Sequence, residues 1–282
     1  MKTRLKRFVQ LWVDLFAQHK LLDHAGAMAF AVLKALVPLT LLAFAVLGDS
    51  GQKHAWKDTI LPKLQGHVQP TTLHAIDAAV QRIFAQNSTG LIVLASLMTL
   101  WYVSGSVRAV MGATNDVYGM DEPRPLKVRY PVSIALAAAI TFCVVGALLV
   151  VLVGPALARH GALEVVVAIG RWVVAVLLLA LAVGLLMRFA PAEPRPYAWV
   201  SGGCLIVIVA WVAATLIFRF FVTDLANFKT ASGSLAVFLV LGGYVYTSAI
   251  IFLVGVELDE LLRADAKPGE RGVLSTLGIA RQ

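Results

Sequence analysis

The sequence predicts an all-α fold, a polytopic membrane helical bundle of six transmembrane helices with an N-terminal interfacial helix and a short helical outer cap. Three observations predict it. Of 282 residues, 59% are hydrophobic and only 14% charged, at a mean hydropathy of +0.82; a soluble domain carries about 25% charged residues. Apolar runs long enough to cross about 30 Å of hydrocarbon at about 1.5 Å per residue recur along the whole chain. The last of them carries no charge between Lys229 and Glu257, then closes with Glu257, Asp259, Glu260 and Arg263, which belong at a water interface.

The length suits one transmembrane domain, residues 1–263, followed by a mobile cytoplasmic tail, 264–282, rich in polar residues, Gly and Pro. The net charge of +8 follows from basic residues collecting in cytoplasmic loops, so it does not call for nucleic acid. Cys143 and Cys204 both lie inside apolar runs and read as small packing residues. No cleavable signal peptide is expected, because Asp14 interrupts the early apolar stretch and no small-residue cleavage site follows.

Residues 3–19 place Leu5, Phe8, Trp12, Leu15 and Phe16 on one helical face, with Lys6, Arg7, Gln10 and Asp14 on the rest. This is the pattern of a helix lying in the membrane interface, the alternative being a helix that faces a partner on the same bundle. The first span, 25–47, contains Lys34 and Pro38. Pro38 cannot donate to the helical ladder and is expected to kink or break the helix. Lys34 either snorkels to the cytoplasmic headgroups or faces a polar cavity.

The outer cap, 48–89, holds two stretches with helical spacing: Trp56, Ile60, Leu61, Leu64, and then Leu73, Ile76, Val80, Ile83, Phe84 after Pro70 and a Thr71 or Thr72 cap. Each apolar face is too narrow to span, so the cap is expected to rest on the outer membrane surface. Asn87-Ser88-Thr89 fits a glycosylation acceptor, a short signal that recurs by chance.

The second span, 90–118, carries Gly105, Ala109 and Ala113 at four-residue spacing, a face that lets another helix approach closely. Its last turns hold Arg108, Asn115 and Asp116. The third span, 130–157, repeats the device with Ala135, Ala139, Cys143 and Ala147, and Pro155 closes it. Arg159 and His160 mark a short turn. The fourth span is 165–187, with Arg171 near its start, and the fifth is 197–218, with Gly202-Gly203 near its start. The sixth is 233–258, where Gly242 and Gly243 offer either close packing or, with Pro38, a helix hinge.

With the N-terminus inside, the inside segments carry fourteen Lys and Arg and the outside segments eight, Lys34 and Arg108 being left in the membrane. Positive charge on the inside therefore puts both termini in the cytoplasm.

The residues that could carry chemistry are Lys34, Arg108, Asn115 and Glu257, which this topology brings to the cytoplasmic half. A membrane interior rewards pairing. Arg108 with Glu257 is the expected salt bridge, with Lys34 as competitor. The cluster serves either as a staple between spans two and six or as the floor of a polar cavity for a headgroup or ion. No catalytic residue, metal or cofactor is expected: His19, His24, His54, His67, His74 and His160 form no HExxH or related arrangement, and there is no GxSxG or phosphate-binding glycine loop.

Four stretches together resemble a known family: AGAMAFAVLKALVPLTLL, LWYVSGSVRAVMGATNDVYG, RFAPAEPRPYAWVSGG and NFKTASGSLAVFLVLGGYVYTSAIIFLVGVELDELL. They are similar to the YihY/virulence factor BrkB family of bacterial inner-membrane proteins, over most of residues 5–263. Lys34 and Gly242-Gly243 depart from its pattern. The resemblance implies an inner-membrane helical bundle whose members are described as transporters or envelope proteins. An older label, ribonuclease BN, finds no support in these residues. The expected function is transport or flipping of an amphiphilic or small polar solute, without an ATPase in this chain. The alternatives are a non-transporting envelope or scaffold protein and, last, a membrane-bound ribonuclease. The expected partners are the lipid bilayer and a lipid or small solute as substrate; a homo-oligomer stays open, and nucleic acid is not expected.

Overall fold

The computed structural model describes residues 2–51, 53–54, 56–65, 70–86, 88–120, 122, 124–157, 162–193, 197–222 and 233–265. The expected tail beyond residue 265, Lys229, the turn at Arg159 and His160, and Asn87 of the glycosylation acceptor lie outside these residues. Among the described residues the fold is all-helical. In chain order the helices are α1 (Lys2–Gln18), α2 (Leu21–Asp49), α3 (Leu61–Leu64), α4 (Pro70–Ala85), α5 (Ser88–Val117), α6 (Leu126–Leu157), α7 (Ala162–Phe189), α8 (Tyr197–Phe220) and α9 (Gly233–Asp265). One π-turn, Trp56–Ile60, leads into α3.

Six helices, α2 and α5 to α9, are long and apolar enough to cross a membrane. Each packs against the next in chain order, α9 returns to α2, and α5 also reaches α7 and α9. The spans thus form a closed ring with α5 leaning inward. Most of the core lies toward the end of the ring that carries α1. Leu21, Ala25 and Met28 of α2, at helical spacing, meet Met111 and Val117 of α5, Met187 of α7, Val207 of α8, and Leu253 and Val256 of α9. Further from α1 the interior loosens into an apolar cavity of about 180 Å³ between α2, α5 and α6, lined by Val32, Ala35, Val107, Ile140 and Thr141 among others.

Several helices overrun the expected boundaries. α2 begins at Leu21, α6 at Leu126, and α9 continues to Asp265. Glu257, Asp259 and Glu260 end the apolar run but not the helix, because a charged side chain keeps its backbone hydrogen bonds and no Gly or Pro intervenes. α2 also runs unbroken through Pro38, which is buried. The expected break is absent.

The glycines settle differently from expectation. A Cβ on Gly242 would come 4.0 Å from Leu33 Cδ1 of α2, and one on Gly243 would meet nothing within 4 Å. The tight crossing is between α8 and α9: a Cβ on Gly203 would lie 2.7 Å from the Gly255 carbonyl oxygen, and one on Gly255 2.2 Å from Val207 Cγ2. Small residues let these backbones touch where lipid provides no hydrophobic drive to join them.

The cap closes on itself and on the end of α2. Leu47, Trp56, Val80 and Phe84 are buried together, and Trp56 meets Phe44 edge-on at 5.4 Å. Trp56 Nε1 donates to Asp77 Oδ1 at 2.7 Å, and Lys53 Nζ donates to the Phe84 carbonyl at 3.0 Å. The two apolar stripes thus pack against each other and the end of α2. In α1, Trp12, Leu15 and Phe16 are half-buried while Lys6, Gln10 and Asp14 are exposed, as the amphipathic pattern requires.

Candidate functional site

The site is built where α1 turns into α2. Lys20 takes a left-handed conformation, φ 46° and ψ 42°, a state that costs a non-glycine residue about 1 kcal/mol. The turn carries His19 over the end of α9. There His19 Nδ1 lies 2.9 Å from Glu257 Oε2, and Glu257 is 1% exposed. One turn into α2, His24 Nε2 lies 2.8 Å from Asp116 Oδ2 at the end of α5. Between the two pairs is a cavity of about 320 Å³ lined by Gln18, His19, Lys20, His24, Asp116, Gly119 and Met120. A wider crevice of about 630 Å³ adjoins it between α1 and the start of α2, lined by Trp12, Val13, Phe16, Ala17, Leu22 and Asp23, with Lys20 shared by both.

The expected cluster is not one cluster. Glu257 pairs with His19, not with Arg108. Arg108 is too far back along α5, so its side chain turns to the α5–α6 seam: Nη1 donates to Ser104 Oγ and, at 3.1 Å, to Ser133 Oγ, and the guanidinium lies 4.5 Å over the Tyr130 ring. Lys34 is exposed, on the stripe of α2 that carries Phe30 and Val37, with Nζ 4.6 Å over the Phe30 ring. It competes for no carboxylate among the described residues and lines neither cavity. Of the small-residue stripe, Gly105 faces the guanidinium, where a Cβ would meet only Arg108 Nη2, at 3.7 Å, while Ala109 and Ala113 pack into the core.

Asn115 is 2% exposed and makes a third arrangement. Its Nδ2 donates to Glu122 Oε2 at 2.9 Å, and its Oδ1 accepts from the Ala192 N–H at 2.7 Å. Arg124 donates from Nε to Glu122 Oε1 at 2.6 Å and from Nη2 to the Ala190 carbonyl at 2.9 Å. Arg129 Nε stands 3.8 Å from Glu122 Oε2. The Arg124 hydrogen bond, and after it the charges and Asn115, hold the Glu122 carboxyl below the usual carboxylate range. This knot ties the end of α5 to the loop before α6 and the stretch after α7. It is closed on itself and is a brace.

The sequence reading missed His19 and His24. Their signal was available: two histidines five residues apart at the junction of an interfacial helix and a span, where two carboxylates end other spans. Among the described residues no group of three His, Cys, Asp or Glu gathers as metal ligands.

Comparison with known proteins fits this architecture. The chain is 24% identical over 270 residues to the ribonuclease-like protein YfkH of Bacillus subtilis, covering 90% of this chain and 95% of that one. It is 22% identical over 262 residues to a UPF0761 membrane protein of Aromatoleum aromaticum, covering 92% of this chain but 64%, less than two thirds, of that protein. No solved structure matches it. The family described as Virulence factor BrkB matches residues 13–273, the whole of this six-helix ring and the last six residues of α1, and the chain belongs to that family of membrane proteins.

Proposed function

We propose that the chain is a multi-pass protein of the bacterial inner membrane, with both termini cytoplasmic, that transports or flips an amphiphilic solute and has no ATPase of its own. One observation carries this reading: a polar cavity and an apolar crevice meet at Lys20 beside the buried Glu257. An amphiphile needs both kinds of wall, a charged one for its head and an apolar one for its tail. A carboxylate buried at the end of a span is costly unless it is paired or used, and His19 both pairs it and lines the polar cavity. The path therefore rests on His19, His24, Asp116 and Glu257. Of the four residues expected from sequence, only Glu257 stays on it.

The test is flux of labelled lipids and small organic ions in vesicles containing the purified protein. Glu257→Gln is expected to abolish flux while the protein stays folded by circular dichroism. Unchanged flux in that variant sinks the role of Glu257. Absence of flux for any probe with the unaltered protein favours the scaffold reading, in which the His19–Glu257 pair only fastens α1 to the ring. The nuclease reading, suggested by the name of YfkH, has no gathered ligand set among the described residues to favour it.

A further inference from the structure

Arg108 lies apart from the cavity just described, and its environment is unusual for a cation in a membrane span. Ser104, whose hydroxyl it binds, is fifteen residues from Thr89 and thirteen from Val117, the ends of the apolar stretch of α5. At about 1.5 Å per residue this puts the guanidinium about 20 Å from either end of α5, while its second partner, Ser133, is seven residues, about 10 Å, from Leu126 at the start of α6, on the side where α5 ends. An α-helical side chain leans toward the N-terminus of its helix, here deeper into the span rather than out to water.

Two serines hold it there. Ser133 Oγ donates to the Tyr130 carbonyl at 2.9 Å, and Ser104 and Ser133 share a hydrogen bond at 3.0 Å. The Ser133 proton is thereby committed to Tyr130 and the Ser104 proton to Ser133, so both oxygens turn lone pairs to Arg108 Nη1. Guanidinium has five N–H donors. Nη1 uses its two on the serines, and the three on Nε and Nη2 have no acceptor among the described residues. No described carboxylate lies within ion-pair distance of Arg108. The unused Nε–Nη2 edge is the planar fork that grips a phosphate through two hydrogen bonds. Gly105 leaves the space beside Nη2 clear. Around the site Trp101, Tyr130 and Ile134 are exposed by 63%, 39% and 41%, an apolar wall suited to acyl chains.

We propose that the Nε–Nη2 edge of Arg108 binds a phosphate group, carried by a membrane lipid or free. The site goes beyond the transport reading, since it needs only binding. The full chain, purified in detergent, is titrated with phosphatidic acid, with diacylglycerol of the same acyl chains, and with inorganic phosphate, and bound species are counted by native mass spectrometry. Phosphatidic acid is expected to bind and diacylglycerol not. Arg108→Gln is expected to weaken phosphatidic acid on the order of tenfold to a hundredfold, the range of a lost charge-assisted hydrogen bond. Gly105→Val keeps the charge and the serine bonds but fills the space at Nη2, so it is expected to weaken binding as well and decides the matter if Arg108→Gln does not fold. Inorganic phosphate binding as tightly as the lipid identifies the free anion as the ligand; its failure beside lipid binding identifies the headgroup. Equal binding of diacylglycerol, or unchanged phosphatidic acid binding in Gly105→Val or folded Arg108→Gln, overturns the proposal.

Discussion

Glu257 and His19 are 238 positions apart and one hydrogen bond long. Removing the histidine leaves a carboxylate that is 1% exposed without its partner. His19→Ala is therefore expected to cost roughly 1–3 kcal/mol, the penalty of an unsatisfied buried group. In the double variant with Glu257→Gln the loss should be smaller than the sum, because the stranded charge is gone. Thermal unfolding of the four proteins in detergent measures this; strict additivity would show that the pair is not coupled. Glu122 offers a pH test. Its folded pKa is lowered, chiefly by Arg124, so its contribution is present above the usual carboxylate range and lost as pH falls through the folded value. The melting temperature of the unaltered protein should fall as pH drops below the usual carboxylate range, and Glu122→Gln should show a flatter acid limb. Equal slopes would remove Glu122 from the account. Of these residues, Glu257 was legible in sequence as a charge ending an apolar run. Its partner was not, because which histidine reaches it depends on the left-handed turn at Lys20.

At the scale of helices, the crossing of α8 and α9 is set by Gly203 and Gly255. Gly255→Ala puts a methyl 2.2 Å from Val207 Cγ2 and 3.3 Å from the Gly203 carbonyl oxygen. Overpacking of this kind costs roughly 1–3 kcal/mol, and adding Val207→Ala should recover part of it, since the nearest clash is with a side chain. A melting temperature unchanged by Gly255→Ala would show that the crossing has slack. Gly243→Ala, with nothing within 4 Å of the new methyl, should be neutral or slightly stabilising, as helix propensity alone dictates. The glycine pair Gly202-Gly203 stood out in the sequence on one side of this crossing, but nothing there marked Gly255 on the other. Gly255 has no neighbouring glycine, and only the packing of two helices shows that Val207 and Gly203 stand opposite it.

For the molecule as a whole, the excess of Lys and Arg in the segments assigned inside, fourteen against eight, predicts that both ends face the cytoplasm. A fluorescent reporter fused after Gln282 should glow and a periplasmic enzyme fused there should be inactive; the reverse result inverts the topology and places the α1 cavity on the outer side. At the end of the closed ring, His19, the residue after α1, meets the buried Glu257 of α9.

The number of spans, their approximate limits, the interfacial helix and the membrane as solvent were all decided by local composition. The cost of placing a residue in hydrocarbon is nearly additive along a helix, so it can be summed without knowing the neighbours. Which charge answers which, why Arg108 and Glu257 never meet, and where two backbones touch were decided only in three dimensions. Those outcomes depend on how far each helix is rotated about its axis and how deep it sits, and a rotation of one residue, about 100°, carries a side chain from the core to the lipid.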